Sequence, residues 1–230
     1  MRGRRAALAA LGAAALAACG GAKGMLPADR SVPLVYVALG DSTVEGIGAS
    51  SPDAGYVERI HRRLREHYPN ARAVNLGAAG ATSADVLAHQ LDRAGLLGPQ
   101  LATLSVGPND ITEGGDVGVF EGNVDQILGR LASRRVIVVV NLLPDLAVTP
   151  RFRGRPEGPA VGRLTVRFNE ALRRIADRHG AEVVDLYEPS RAEVPARPWL
   201  VASDGYHPSD AGYARWAELM WQGIERRLAP

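Results

Sequence analysis

The run Val136-Ile137-Val138-Val139-Val140 constrains the fold more than any other stretch of the chain. It is β-branched throughout and shows no polar alternation. Such a run reads as a strand buried on both faces, the pattern found in the middle of a parallel sheet. It sits within a longer apolar segment, 135–143, and four shorter runs share its character: 34–39, 73–76, 101–106 and 181–186. Between the runs lie segments with helical periodicity. Tyr56 to Tyr68 puts Val57, Ile60 and Leu64 on one face and Arg59, Arg62 and Arg63 on the other. Thr82 or Ser83 caps a helix to about Leu91. Segment 120–131 carries Val124, Ile127 and Leu131 as a stripe, and 163–179 carries Leu164, Phe168, Leu172 and Ile175. A last helix, capped by Ser209, runs to about Leu228. Strand and helix thus alternate about five times, which predicts an α/β fold of about five parallel strands with helices on both faces.

Length and charge narrow the field. With 230 residues, 46% of them hydrophobic, one sizeable core is expected. A formal charge of +2 makes no case for nucleic acid. Part of that charge lies at the N-terminus, where Met1-Arg2-Gly3-Arg4-Arg5 precedes an apolar run from Ala6 to Ala18. That is the layout of a secretory leader, too short to span a bilayer in the usual way. The run ends Leu16-Ala17-Ala18-Cys19, which resembles a bacterial lipobox. The resemblance implies cleavage after residue 18, acylation of Cys19, and an exported protein held to the outer side of the cytoplasmic membrane. The alternative is a soluble secreted protein. Cys19 is the only cysteine, so no internal disulfide forms. Segment 19–33, which contains Gly, Ala, Lys, Pro, Asp and Ser, reads as a flexible tether to a domain over 34–230.

Three strands end in polar or glycine-rich turns, where α/β sites gather. Gly40-Asp41-Ser42-Thr43 follows the first, Gly77-Ala78-Ala79-Gly80 the second and Gly107-Pro108-Asn109-Asp110 the third. After the run 181–186 a loop to Ser203 leads into a fourth turn, Asp204-Gly205-Tyr206-His207-Pro208, which precedes the last helix. A serine hydroxyl becomes a nucleophile when a base takes its proton, and the base needs an orienting carboxylate. Ser42, His207 and Asp204 are the right types, with Asp204 and His207 three apart in one turn. A developing oxyanion needs donors, which the Gly80 N–H and the Asn109 amide could supply. The other histidines, at 61, 67, 89 and 179, fall on helices and read as helix surface. No His-Glu-x-x-His pattern points to a metal. Segment 144–162, with Arg151-Phe152-Arg153-Gly154-Arg155, is a long loop. It is either a lid or binding loop, which could meet an anionic leaving group, or a solvated basic loop.

Taken in order, Gly-Asp-Ser, a glycine-rich loop, Gly-x-Asn-Asp and Asp-x-x-His-Pro closely resemble the SGNH/GDSL hydrolases, from Leu34 to the final helix. The resemblance implies a three-layer flavodoxin-like sandwich with strand order 2-1-3-4-5. It implies a triad of Ser42, His207 and Asp204, and an oxyanion hole of Ser42, Gly80 and Asn109. Gly77 competes with Gly80 for its place, and Asp41 is expected to shape the turn. The implied protein is a serine esterase for small-molecule or glycan esters with short acyl groups, needing no cofactor or metal. An acyltransferase, a thioesterase or lysophospholipase on the same site, and a non-catalytic glycan-binding lipoprotein are the alternatives.

Overall fold

In the computed structural model, which describes residues 24–229, the five expected strands form one parallel sheet. They are β1 (Val35–Gly40), β2 (Arg72–Asn75), β3 (Leu101–Ser105), β4 (Ile137–Asn141) and β5 (Glu182–Val184), in the order β2-β1-β3-β4-β5. Val37 pairs with Val74 on one side and Ala102 on the other, and Val140 pairs with Leu104 and Val183. The order reverses at β1, so the carboxyl ends of β1 and β3 border the crevice where open α/β sheets bind ligands.

Side chains alternate across the sheet and separate two cores. On one face Val37, Leu39, Leu104 and Val140 pack with Leu91, Phe120, Phe168 and Leu172. These come from the helices α4 (Leu91–Leu97), α6 (Val117–Ser133) and α7 (Gly158–Arg178). On the other face Tyr36, Ala38 and Val139 meet Ile60, Leu64, Met220 and Ile224. Those belong to α2 (Tyr56–His67) and α9 (Asp210–Glu225). The remaining helices are short: α1 (Ser42–Glu45), α3 (Ser83–Asp85), α5 (Pro108–Thr112) and α8 (Tyr187–Ala196). A π-helical stretch, Val86–Gln90, joins α3 to α4.

The structure corrects three sequence expectations. Residues 24–33 do not hang free: Leu26 is buried, its N–H donates to the Arg227 carbonyl at 2.7 Å, and the Tyr68 hydroxyl donates to the Pro27 carbonyl at 2.7 Å. Arg227 Nη1 also donates to the Gly24 carbonyl at 3.2 Å and Asn70 Nδ2 to the Ser31 carbonyl at 2.8 Å, so one buried leucine and several backbone bonds dock the stretch. The leader and Cys19 lie outside the described residues. The loop 144–162 is shorter than expected, because α7 begins at Gly158 and Leu146–Val148 forms a 3₁₀ turn. Finally, α8 occupies what reads as loop. It has no buried residue and contains Pro195, so neither an apolar stripe nor a clean composition marks it.

Candidate active site

The end of β1 sets the geometry. Gly40 has φ +143°, and a Cβ there would stand 1.8 Å from the Ser105 carbonyl oxygen, so only glycine lets the strand leave the sheet this close to β3. Asp41 then caps α1: its Oδ1 accepts from the Thr43 N–H at 2.9 Å and from Thr43 Oγ1 at 2.7 Å. Ser42 becomes the first helical residue. A first-turn N–H has no carbonyl within its own helix to bond, which leaves the Ser42 N–H for a ligand.

Two further loops lie beside this turn. Ala78 donates its N–H to the Gly40 carbonyl at 3.1 Å, and Ala79 to Glu45 Oε2 at 2.6 Å. The two candidate glycines differ sharply. A Cβ on Gly77 would lie 2.6 Å from the Glu45 nitrogen, so Gly77 is packing space for α1. Gly80 has φ +79°, is exposed, and a Cβ there would meet nothing within 4 Å. Gly80 therefore borders open space. Asn109, at the start of α5, donates through Nδ2 to the Ala81 carbonyl at 2.9 Å. An amide nitrogen has two hydrogens, so this bond orients the group and leaves one donor.

His207 arrives from the other end of the chain. Its Nε2 lies 2.9 Å from Ser42 Oγ, and its Nδ1 lies 2.6 Å from Asp204 Oδ2. Asp204 Oδ1 accepts the N–H groups of Tyr206 at 2.8 Å and His207 at 3.0 Å. Burial raises the pKa of Asp204, but the bonds from His207 and these two N–H groups outweigh it and hold the carboxyl below the usual range. An ionised Asp204 fixes the proton on Nδ1 and leaves Nε2 as acceptor for the serine hydroxyl. The two ends of the line differ in exposure: Ser42 is 7% exposed, the Asp204 side chain 43%.

Other histidine–carboxylate pairs lack the third member. His179 Nε2 meets Asp125 Oδ1 at 2.8 Å, while His61 is held between Glu58 at 2.9 Å and the Ala71 carbonyl at 3.2 Å. Among the described residues no serine hydroxyl completes either pair.

Several supporting contacts carry no sequence signal. Gln90 clamps the backbone of Gly40, accepting its N–H at 2.8 Å and donating to its carbonyl at 2.8 Å. Asp110 accepts from the Ser83 N–H at 3.0 Å and from Ser83 Oγ at 2.5 Å, tying the Asn109 turn to α3. Burial raises the Asp110 carboxyl despite those bonds. Thr43 Oγ1 lies 3.2 Å from Ser105 Oγ. A buried glutamine is visible as a residue, but its partner fifty positions away is not.

An apolar cavity of about 100 Å³ opens from Ser42 and His207. Leu146, Leu186, Val194, Leu200, Trp216 and Leu219 line it, with Glu193 and Arg215 also on its wall. Arg215 Nη2 donates to Glu193 Oε1 at 2.9 Å, which ties α8 to α9.

The chain resembles known proteins over most of its length. Residues 38–215 match the model of the GDSL-like lipase/acylhydrolase family. The GDSL-like esterase Rv1075c of Mycobacterium tuberculosis is 31% identical over 205 residues, covering 86% of this chain. The chain spans 65% of that relative's length. A lipase/acylhydrolase from Enterococcus faecalis superposes with a TM-score of 0.71 at 22% identity, over 86% of this chain and 98% of the other. An acetyl xylan esterase from Geobacillus stearothermophilus gives 0.68 at 20%, over 87% and 99%. These two structures share the fold, and the family match spans β1 to the first turns of α9: the chain belongs to the GDSL-like lipase/acylhydrolase family.

Proposed function

We propose that the protein is a serine esterase with a triad of Ser42, His207 and Asp204. The observation that carries this reading is the unbroken line of hydrogen bonds from Ser42 Oγ through both imidazole nitrogens to Asp204. Ser42 Oγ attacks the ester carbonyl carbon as its proton passes to His207 Nε2. The oxyanion is met by the N–H groups of Ser42 and Gly80 and the free amide hydrogen of Asn109. The intermediate collapses, the C–O bond breaks, and the alcohol leaves with the proton from Nε2. Water then repeats the sequence on the acyl-serine and releases the acid. The cavity supports short acyl groups: about 100 Å³ is less than the roughly 150 Å³ that takes a benzene ring in other proteins.

Hydrolysis of p-nitrophenyl acetate, butyrate and decanoate tests this. Acetate and butyrate are expected to turn over faster than decanoate, and Ser42→Ala to lose about 10⁴-fold or more in kcat. Wild-type-like turnover in Ser42→Ala would sink the mechanism.

Acylation of Cys19 is a separate part of the proposal. Support comes from the leader and the Leu16-Ala17-Ala18-Cys19 sequence. Gly24 lies against Ile137, at the amino end of β4 and so at the end of the sheet opposite Ser42. A short link from that end to a membrane would leave the cavity facing away from the bilayer, open to small or glycan esters. Incorporation of labelled palmitate, lost in Cys19→Ser, is the expected result.

A further inference from the structure

We propose that Arg151 forms a subsite for a carboxylate or phosphate on the substrate, so that the preferred esters are anionic. The inference rests on the esterase reading and assigns its substrate class.

The loop after β4 is built onto the turn that carries the base. Arg151 donates its backbone N–H to the Gly205 carbonyl at 2.9 Å. Phe152, 6% exposed, meets the Tyr206 ring edge-on at 6.0 Å, and Tyr206 meets the His207 ring edge-on at 5.1 Å. Residues 150–152 and 205–207 are therefore packed on one another. The Arg151 guanidinium carbon lies 4.8 Å from the Tyr206 ring centre and 5.5 Å from that of Phe152. Thr149, Tyr206 and His207 line the cavity, so this guanidinium lies over a ring of the cavity wall, next to the residue that carries the base.

Its charge is not neutralised. Arg130, Arg173, Arg174, Arg178, Arg215, Arg226 and Arg227 all pair with carboxylates. Among the described residues Arg151 has no ion pair and no side-chain hydrogen bond, and the carboxylate of Asp204, in the same turn as Gly205, is engaged by His207. Stacking on a ring engages the face of a guanidinium and leaves its in-plane N–H fork free. That fork matches the two oxygens of a carboxylate or phosphate. The apolar cavity would take the acyl group while the anionic group stays outside on Arg151.

The test uses three meta-substituted phenyl butyrates: 3-(butanoyloxy)benzoate, the neutral benzamide and the cationic trimethylanilinium analogue. Their intrinsic reactivities differ, so the quantity compared between variants is the ratio of kcat/KM for the anion to that for the amide. Arg151→Gln is expected to lower this ratio about fivefold. Arg151→Lys should recover part of it, and 1 M salt should erase it in the wild type. The exposed, distant Arg93→Gln should leave it unchanged. An unaltered ratio in Arg151→Gln, or an equal drop in Arg93→Gln, overturns the proposal. If no ester is turned over, the esterase reading fails and binding decides the subsite. Calorimetry on Ser42→Ala should then show the anion bound about fivefold tighter than the amide, a preference absent from Ser42→Ala/Arg151→Gln. Equal or undetectable binding of both overturns the subsite.

Discussion

The two halves of the site are held in opposite ways. Ser42 and Asn109 stand on turns after β1 and β3, fastened from below by buried polar bonds: Gln90 on Gly40, Asp110 on Ser83, Asp41 on Thr43. Asp204 and His207 stand on a loop before α9, half exposed, tied by bonds within the loop and by aromatic edges. The buried half resists movement because each broken bond would leave an unpaired polar group away from water. The exposed half relies on the Asp–His bond itself for orientation. Chemistry and stability should therefore separate between the halves.

After Ser42→Ala, Asp204→Asn should show the largest effect, and the cleanest separation. Losing the carboxylate that fixes the His207 tautomer should lower kcat about 10³–10⁴-fold. Because Asp204 is 43% exposed, the urea midpoint should barely move. A variant that is active but unstable would reverse the contrast. Asn109→Ala comes next, with a loss of about 10²–10³ in kcat and little change in KM if its free hydrogen meets the oxyanion. Gln90→Ala probes the buried half alone. It strips two bonds from Gly40 and should cost about 2–4 kcal/mol in urea unfolding, with kcat reduced only where the turn shifts. An unchanged midpoint would mean that the clamp is dispensable.

Asp41→Asn should have the smallest effect on kcat, and a diagnostic pH slope in stability. Burial pushes the Asp41 carboxyl up to about 6, against bonds from Thr43 that lower it. Unfolded, it titrates near 3.8. Between those values the folded chain binds more protons than the unfolded one, so the wild type loses stability as pH rises from about 4 to 6. Asparagine can still cap α1 but does not ionise. Asp41→Asn should gain on the wild type by up to about 3 kcal/mol across that window, measured by urea midpoints at pH 4 and 7.

Much of this molecule was legible before any coordinates. Strands announce themselves as continuous apolar runs and helices through a hydrophobic period of 3.6, which are local properties. The turn glycines, the capping residues and the types Ser42, Asn109, Asp204 and His207 are equally local. The docked stretch around Leu26 and helix α8 were not legible. One is held by a partner some two hundred residues away, and the other has no buried face to leave a pattern.

Tertiary structure alone decided which candidates meet. Ser42 and His207 are 165 residues apart, and only the closing of the chain over the sheet brings Nε2 within 2.9 Å of the hydroxyl. Gly77 and Gly80 look alike in the sequence, yet one packs against α1 and the other borders open space. Arg151 reads as one of several basic loop residues until Tyr206 is placed beneath it. Residue identity is written in the chain, but proximity and burial come from packing, which joins positions that share no local signal.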